Sequence, residues 1–125
     1  MKKVLITIIC SILLLVAGGV YEQVVVLKQF DEFKSSVSKC LDKANAKTLT
    51  PNDINELSNN WEDKRKYLHV FIPHTEIKEI GLWLSEATAF AEYNNMEETA
   101  DKLQVIYDLS KQIPDNFRIK IENIM

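Results

Sequence analysis

Between Val4 and Tyr21 no residue is charged, and the run VLITIICSILLLVAGGVY is apolar almost without interruption. As a helix those eighteen residues span roughly 27 Å at 1.5 Å each, close to the hydrocarbon thickness of a bilayer. Lipid offers no hydrogen-bond partner, so a segment of this length must satisfy its own backbone as a helix. Past Tyr21 the pattern changes. Val26, Phe30, Phe33, Val37, Cys40 and Ala44 recur at alternating spacings of four and three, the seam of a helix packed lengthwise in water. No proline or glycine interrupts that stretch, so one long helix is expected from about Val4 to Ala46, with Gly18-Gly19 as its point of flex.

The segment KTLTP supplies a turn and a restart. Thr50 suits an N-cap, Pro51 the first helical position, and Asp53 the positive end of the helix dipole. Ile54, Leu57, Trp61, Leu68 and Phe71 continue the three-and-four spacing, with Lys64 breaking the seam once. A second helix is predicted from Pro51 to about Phe71, ended by Pro73. A third begins near His74-Thr75 and carries Ile77, Ile80, Leu84, Ala87 and Ala91 on one face, widened by Trp83 and Phe90. It stops at Asn94-Asn95, which tolerate turn conformations. The fourth carries Ala100, Leu103, Ile106, Leu109 and Ile113 and is closed by Pro114. In the tail 115–125, Phe117, Ile119 and Ile121 alternate as in an edge strand, yet Asp115 suits a helix cap; the balance is helical.

Short links force neighbouring helices to run antiparallel. The expected fold is all-α: an N-terminal transmembrane helix continuing into an antiparallel three- to four-helix bundle. Only three Gly and three Pro in 125 residues leave few turn signals for a sandwich or barrel. The organisation follows as a membrane anchor over 1–21, with a cytoplasmic tail 1–3 and a span 4–21, and an extracytoplasmic helical domain over 22–125.

Charge fixes the direction of the anchor and removes one class of partner. Lys2 and Lys3 flank the apolar run on its N-terminal side, which puts that end in the cytoplasm and the bulk of the chain outside. A cleaved signal peptide is the competing reading: Lys2-Lys3, then the apolar stretch to Val16, then the small residues Ala17-Gly18-Gly19. A lipoprotein signal is disfavoured, because Ile8 and Ile9 precede Cys10. Beyond Tyr21 there are 13 basic and 18 acidic residues, a net charge of −5. The one dense basic cluster, Lys64-Arg65-Lys66, directly follows Glu62 and Asp63 and is expected on a solvated helix face with a Glu62–Lys66 pair. Nucleic acid is not an expected partner.

The residues Trp61-x-x-Lys64, Leu68, Phe71-Ile72-Pro73-His74-x-Glu76-Ile77, Ile80 and the closing Glu122-Asn123-Ile124 resemble an uncharacterised bacterial family of short membrane-anchored helical proteins, a domain of unknown function found mostly in Gram-positive bacteria. An acidic residue is common there at the position of Pro73. The resemblance implies the same architecture and no known reaction, cofactor or catalytic residue.

Candidate chemistry is sparse. His69 and His74 with Glu76 carry ligand atoms, but their spacing matches no standard metal motif, and His74 is expected instead to help cap the third helix and bond its neighbour. Cys10 and Cys40 lie in the apolar run and on the first seam, too far apart for a bridge between them; Cys40 reads as a small buried hydrophobe or as an intermolecular thiol. No CxxC, phosphate loop or nucleophile elbow occurs, so neither an enzyme nor a bound cofactor is expected. The corner residues Trp61, Lys64, Phe71, Pro73, His74 and Glu76 are the candidates for an interaction site or a structural corner. Trp61, Trp83 and Phe90 are candidates to line a ligand cleft. The expected role is an interaction or accessory module for another membrane or envelope protein; the alternative is a ligand- or ion-sensing bundle. A three-residue cytoplasmic tail requires any signal to pass through a membrane partner.

Overall fold

A computed structural model describes the backbone of residues 1–124 and the side chains of residues 1–118. Four helices follow in order: α1 (Lys2–Asn45), α2 (Pro51–Leu68), α3 (His74–Glu92) and α4 (Met96–Ile124); no strand occurs among the described residues. The alternating Phe117, Ile119 and Ile121 therefore belong to a helix. For the closing Glu122-Asn123-Ile124 only the backbone is described, and Met125 lies outside the described residues.

α1 is continuous through Gly18 and Gly19, and its two halves differ completely. Every residue from Met1 to Gly18 is exposed, whereas Val26, Phe30, Phe33, Val37, Cys40 and Ala44 are buried, the six positions that the three-and-four spacing selects. Lys47, in the left-handed region at φ 60°, turns the chain after α1, and the Thr48 N–H closes on the Lys43 carbonyl at 2.8 Å. Asn94, at φ 58°, makes the equivalent turn after α3, where the Asn95 N–H donates to the Phe90 carbonyl.

The start of α2 follows from its sequence. The Thr50 hydroxyl accepts from the Asp53 N–H, and the Asp53 carboxylate accepts from the Thr50 N–H at 2.9 Å, a reciprocal capping box with Pro51 in the first turn. Its end comes earlier than the seam predicts. α2 stops at Leu68, and residues 69–73 unwind through short turns in which the Phe71 and Ile72 N–H groups both donate to the Leu68 carbonyl. Phe71 is therefore a half-buried corner residue. Pro73, five residues after Leu68, is the N-cap of α3, and a residue before proline is disfavoured in the helical region.

α4 corrects the expectation that Pro114 closes the fourth helix, because the helix runs through it to Ile124. Pro114 has no N–H to give the Ser110 carbonyl, a local cost of about 3 kcal/mol. Burial of Ile113 and packing of Phe117 against the core offset that cost. Register on this helix is also shifted slightly. Ser110 is buried while Leu109 is half-exposed, and the Ser110 hydroxyl is satisfied by the Ile106 carbonyl at 2.7 Å. Thr99, fully buried, is satisfied in the same way by the Asn95 carbonyl.

The four helices form an antiparallel bundle around one core, with each helix beside its neighbours in sequence and α4 beside α1. α4 lies close to both α1 and α3, and α2 stands further from its own neighbours. Large side chains hold it there: the Trp61 ring is wedged against Phe33 (ring centroids 4.8 Å apart) and Phe30 (6.5 Å) of α1.

Candidate functional site

The six corner candidates divide into two groups. Trp61 and Lys64 lie on the inner face of α2 and look at α1. Phe71, Pro73 and Glu76 surround a small hollow at the α2–α3 corner that Asn116 and Phe117 of α4 complete. His74 is exposed in the first turn of α3, and among the described residues its ring forms neither the cap nor the cross-helix bond expected of it. The physical reason is position. At the first helical residue the ring is left exposed to water.

Lys64 is the largest departure from a solvated face. It is 8% exposed, and its ammonium donates to Gln29 Oε1 at 2.8 Å and to Glu32 Oε2 at 2.9 Å on α1. The aliphatic stem fills a core position while the charged tip reaches acceptors at the edge. The ammonium beside it holds the Glu32 carboxyl below its ordinary range, chiefly through the hydrogen bond. Glu32 is half-exposed, so the pair adds little net stability, but it fixes register: a one-turn slip of α2 leaves a buried ammonium without acceptors. Glu62 pairs with Arg65 at 2.7 Å across three residues, in place of the expected Glu62–Lys66 pair. Gln29 and Glu32 were not singled out from the sequence. The signal for them is Lys64 itself, because a lysine on a core register requires acceptors on the facing helix.

Two grooves flank α2. Between α1 and α2, a groove of about 220 Å³ is lined by Ser36, Cys40, Lys43, Asp53, Glu56 and Asn60. Asp53 is held below the ordinary carboxylate range by the Thr50 N–H, then by the Lys43 ammonium 3.1 Å away and the Thr50 hydroxyl. Lys43 is raised in return. Burial raises the Cys40 thiol, and the nearby Asp53 charge adds to it, which makes Cys40 a poor nucleophile. Cys10 and Cys40 are both free.

Between α2 and α3, a groove of about 360 Å³ is lined by small polar residues, Asn55, Ser58, Ser85 and Thr88, with Gly81 and Trp61. Trp61 is 1% exposed and its Nε1–H has no acceptor among the described residues, a desolvation cost of about 1–3 kcal/mol. The three aromatics expected to line one cleft diverge. Trp61 packs toward α1, whereas Trp83 and Phe90 lie under the Lys102 ammonium of α4, at 5.2 and 5.7 Å from their ring centroids. They lie seven residues apart on one face of α3, and that face turns toward α4.

Among the described residues no group of three or more His, Cys, Asp or Glu is placed to hold a metal ion. A family model described as a domain of unknown function, DUF4363, matches residues 22–124. The chain belongs to the DUF4363 family. No curated protein and no solved structure matches it. The DUF4363 match covers all four helices apart from the exposed, apolar first half of α1, and the membership carries no assigned reaction.

Proposed function

We propose that this protein is a single-pass membrane protein, N-terminus cytoplasmic, whose helical bundle is held outside the cytoplasm as an interaction or accessory module for another membrane or envelope protein. The observation that carries the anchor is the first half of α1, which is long and apolar enough to cross a membrane and has none of that stretch buried against the bundle. Val4, Leu5, Ile6, Ile8, Ile9, Ile12, Leu13, Leu14, Leu15 and Val16 are all at least 48% exposed. Removing each from water is worth about 1.5–3 kcal/mol, so such a rod requires an apolar solvent. Lys2 and Lys3 support the orientation. The accessory role is supported by the two grooves beside α2, one lined largely by charged residues and the other by small polar ones, open surfaces suited to a partner's side chains.

Two measurements test this reading. Native membranes are extracted with alkaline carbonate and the mature N-terminus is sequenced; retention in the lipid fraction with an intact start is expected, and a soluble chain starting near Val20 overturns the anchor. Photo-crosslinkers placed at Asn55 and Ser85 are expected to give discrete adducts in native membranes, and their absence removes the accessory role. The unpartnered Trp61 N–H favours a second reading, a ligand-sensing bundle signalling through a membrane partner. That reading predicts a thermal shift in a ligand screen that Trp61→Phe abolishes.

A further inference from the structure

We propose that the lower end of the bundle rests on the bilayer, with Val70 of the α2–α3 corner immersed at the headgroup level of the leaflet from which α1 emerges and Tyr67 on the water side of that layer. The inference rests on the anchored reading of α1 and adds a second, independent lipid contact to it.

The height of the corner follows from the cross-links between α1 and α2. Trp61 stands against Phe30 and Phe33, and Lys64 against Gln29 and Glu32, so the two helices run antiparallel with these levels matched. Descending at about 1.5 Å per residue from Lys64, the chain reaches Val70 level with residues about 23–26 of α1, roughly 3–8 Å beyond Tyr21. The interfacial layer of one leaflet is about 5–7 Å deep. Val70 falls within it, and Tyr67, three residues or about 4.5 Å higher, stands just outside it on the water side. Both are 69% exposed, apolar or amphipathic, and point away from the core. Tyrosine with an aliphatic neighbour is the composition suited to that layer, where one end of the ring is apolar and the other wet.

α4 gives an independent measure of the same plane. Pro114 and Arg118 share a groove with Val24 and Lys28 of α1, and the α4 backbone continues as helix to Ile124. Six further residues carry it about 9 Å, to the level of the last turn of the anchor. A bundle held clear of the headgroups is incompatible with both heights. The charged side chains near this end are of both signs, Lys28 and Lys66 with Glu22 and Asp63, and the pairs Arg65–Glu62 and Arg118–Asp115 lie among them. The contact is therefore expected on neutral lipid, with little added by anionic lipid.

The test uses the full chain in vesicles of neutral phosphatidylcholine. Cys10 is replaced by alanine, the buried Cys40 is left in place, and a nitroxide is attached in turn to Val70→Cys, Tyr67→Cys, Leu13→Cys and Tyr93→Cys. Collision with oxygen relative to a water-soluble nickel chelate is read by paramagnetic relaxation. The label at 70 is expected to favour oxygen over nickel relative to the label at 93, at the far end of the bundle, and to read shallower than the label at 13, with the label at 67 between 70 and 93. Nickel access at 70 equal to that at 93 overturns the proposal while leaving the anchor intact, provided that 13 is in lipid. Shielding of 70 and 67 from both reagents means that protein covers the corner, which also overturns it. A label at 13 that meets nickel freely overturns the anchor and this inference together.

Discussion

The two halves of α1 share one uninterrupted helix, yet the first is exposed and the second packs into the core. Leu13 is 62% exposed and Phe33 fully buried, although both are apolar and no break in the helix separates them. The difference lies in the period. The first half is apolar all round, so no single face selects a protein partner; the second is apolar on one seam and polar elsewhere, which matches a bundle in water. Helix formation alone therefore does not distinguish an anchor from a core element. The distribution of side chains around the axis does.

Four experiments break or sharpen that comparison. Phe33→Ala removes a ring packed on Trp61 and is expected to destabilise the bundle by about 3–5 kcal/mol, a large share of a typical domain's stability, whereas Leu13→Ala leaves it unchanged. Thermal unfolding of the full chain in detergent checks both, and equal losses would erase the distinction between the halves. Leu13→Arg is expected to reverse that pattern. It costs about 2.5–3.5 kcal/mol of membrane insertion and lowers retention in the membrane fraction without moving the bundle's unfolding transition.

Smaller changes probe the same boundary through glycine. A methyl group at Gly81 would stand 3.9 Å from Trp61 Nε1, an ordinary contact, so Gly81→Ala is expected to stabilise by about 0.5–1 kcal/mol through helix propensity. At Gly18 nothing lies within 4 Å, and Gly18→Ala is expected to leave the same transition where it is. The smallest effect expected is that of acid. Asp53 and Glu32 both have carboxyls lowered in the folded state, so their contribution is complete above the unfolded value near pH 4 and is lost as pH falls through the folded values. The melting temperature is expected to stay level from pH 7 to about 5 and to fall below about 4. Asp53→Asn flattens part of that fall.

Much of the fold was legible because it is periodic. The seams of α1 and α3 are selected residue for residue by spacing, and the start of α2 by Thr50, Pro51 and Asp53, since these depend on neighbours within a turn or two. The corner was legible in composition but not in arrangement. Phe71, Pro73 and Glu76 meet because α4 closes on them, while Trp61 and Lys64 turn toward α1, and no local rule relates residue 64 to residues 29 and 32.

What the sequence by itself determined, then, is the order, caps and buried faces of the helices and the existence of one rod that water does not suit. Only the tertiary structure decided that the helix passes through Pro114, that Lys64 goes inward, and that the aromatics part company. Each of those outcomes weighs a local cost, a missing backbone bond or a desolvated charge, against contacts supplied by another helix. That balance is struck between residues far apart in the chain, where sequence periodicity carries no information.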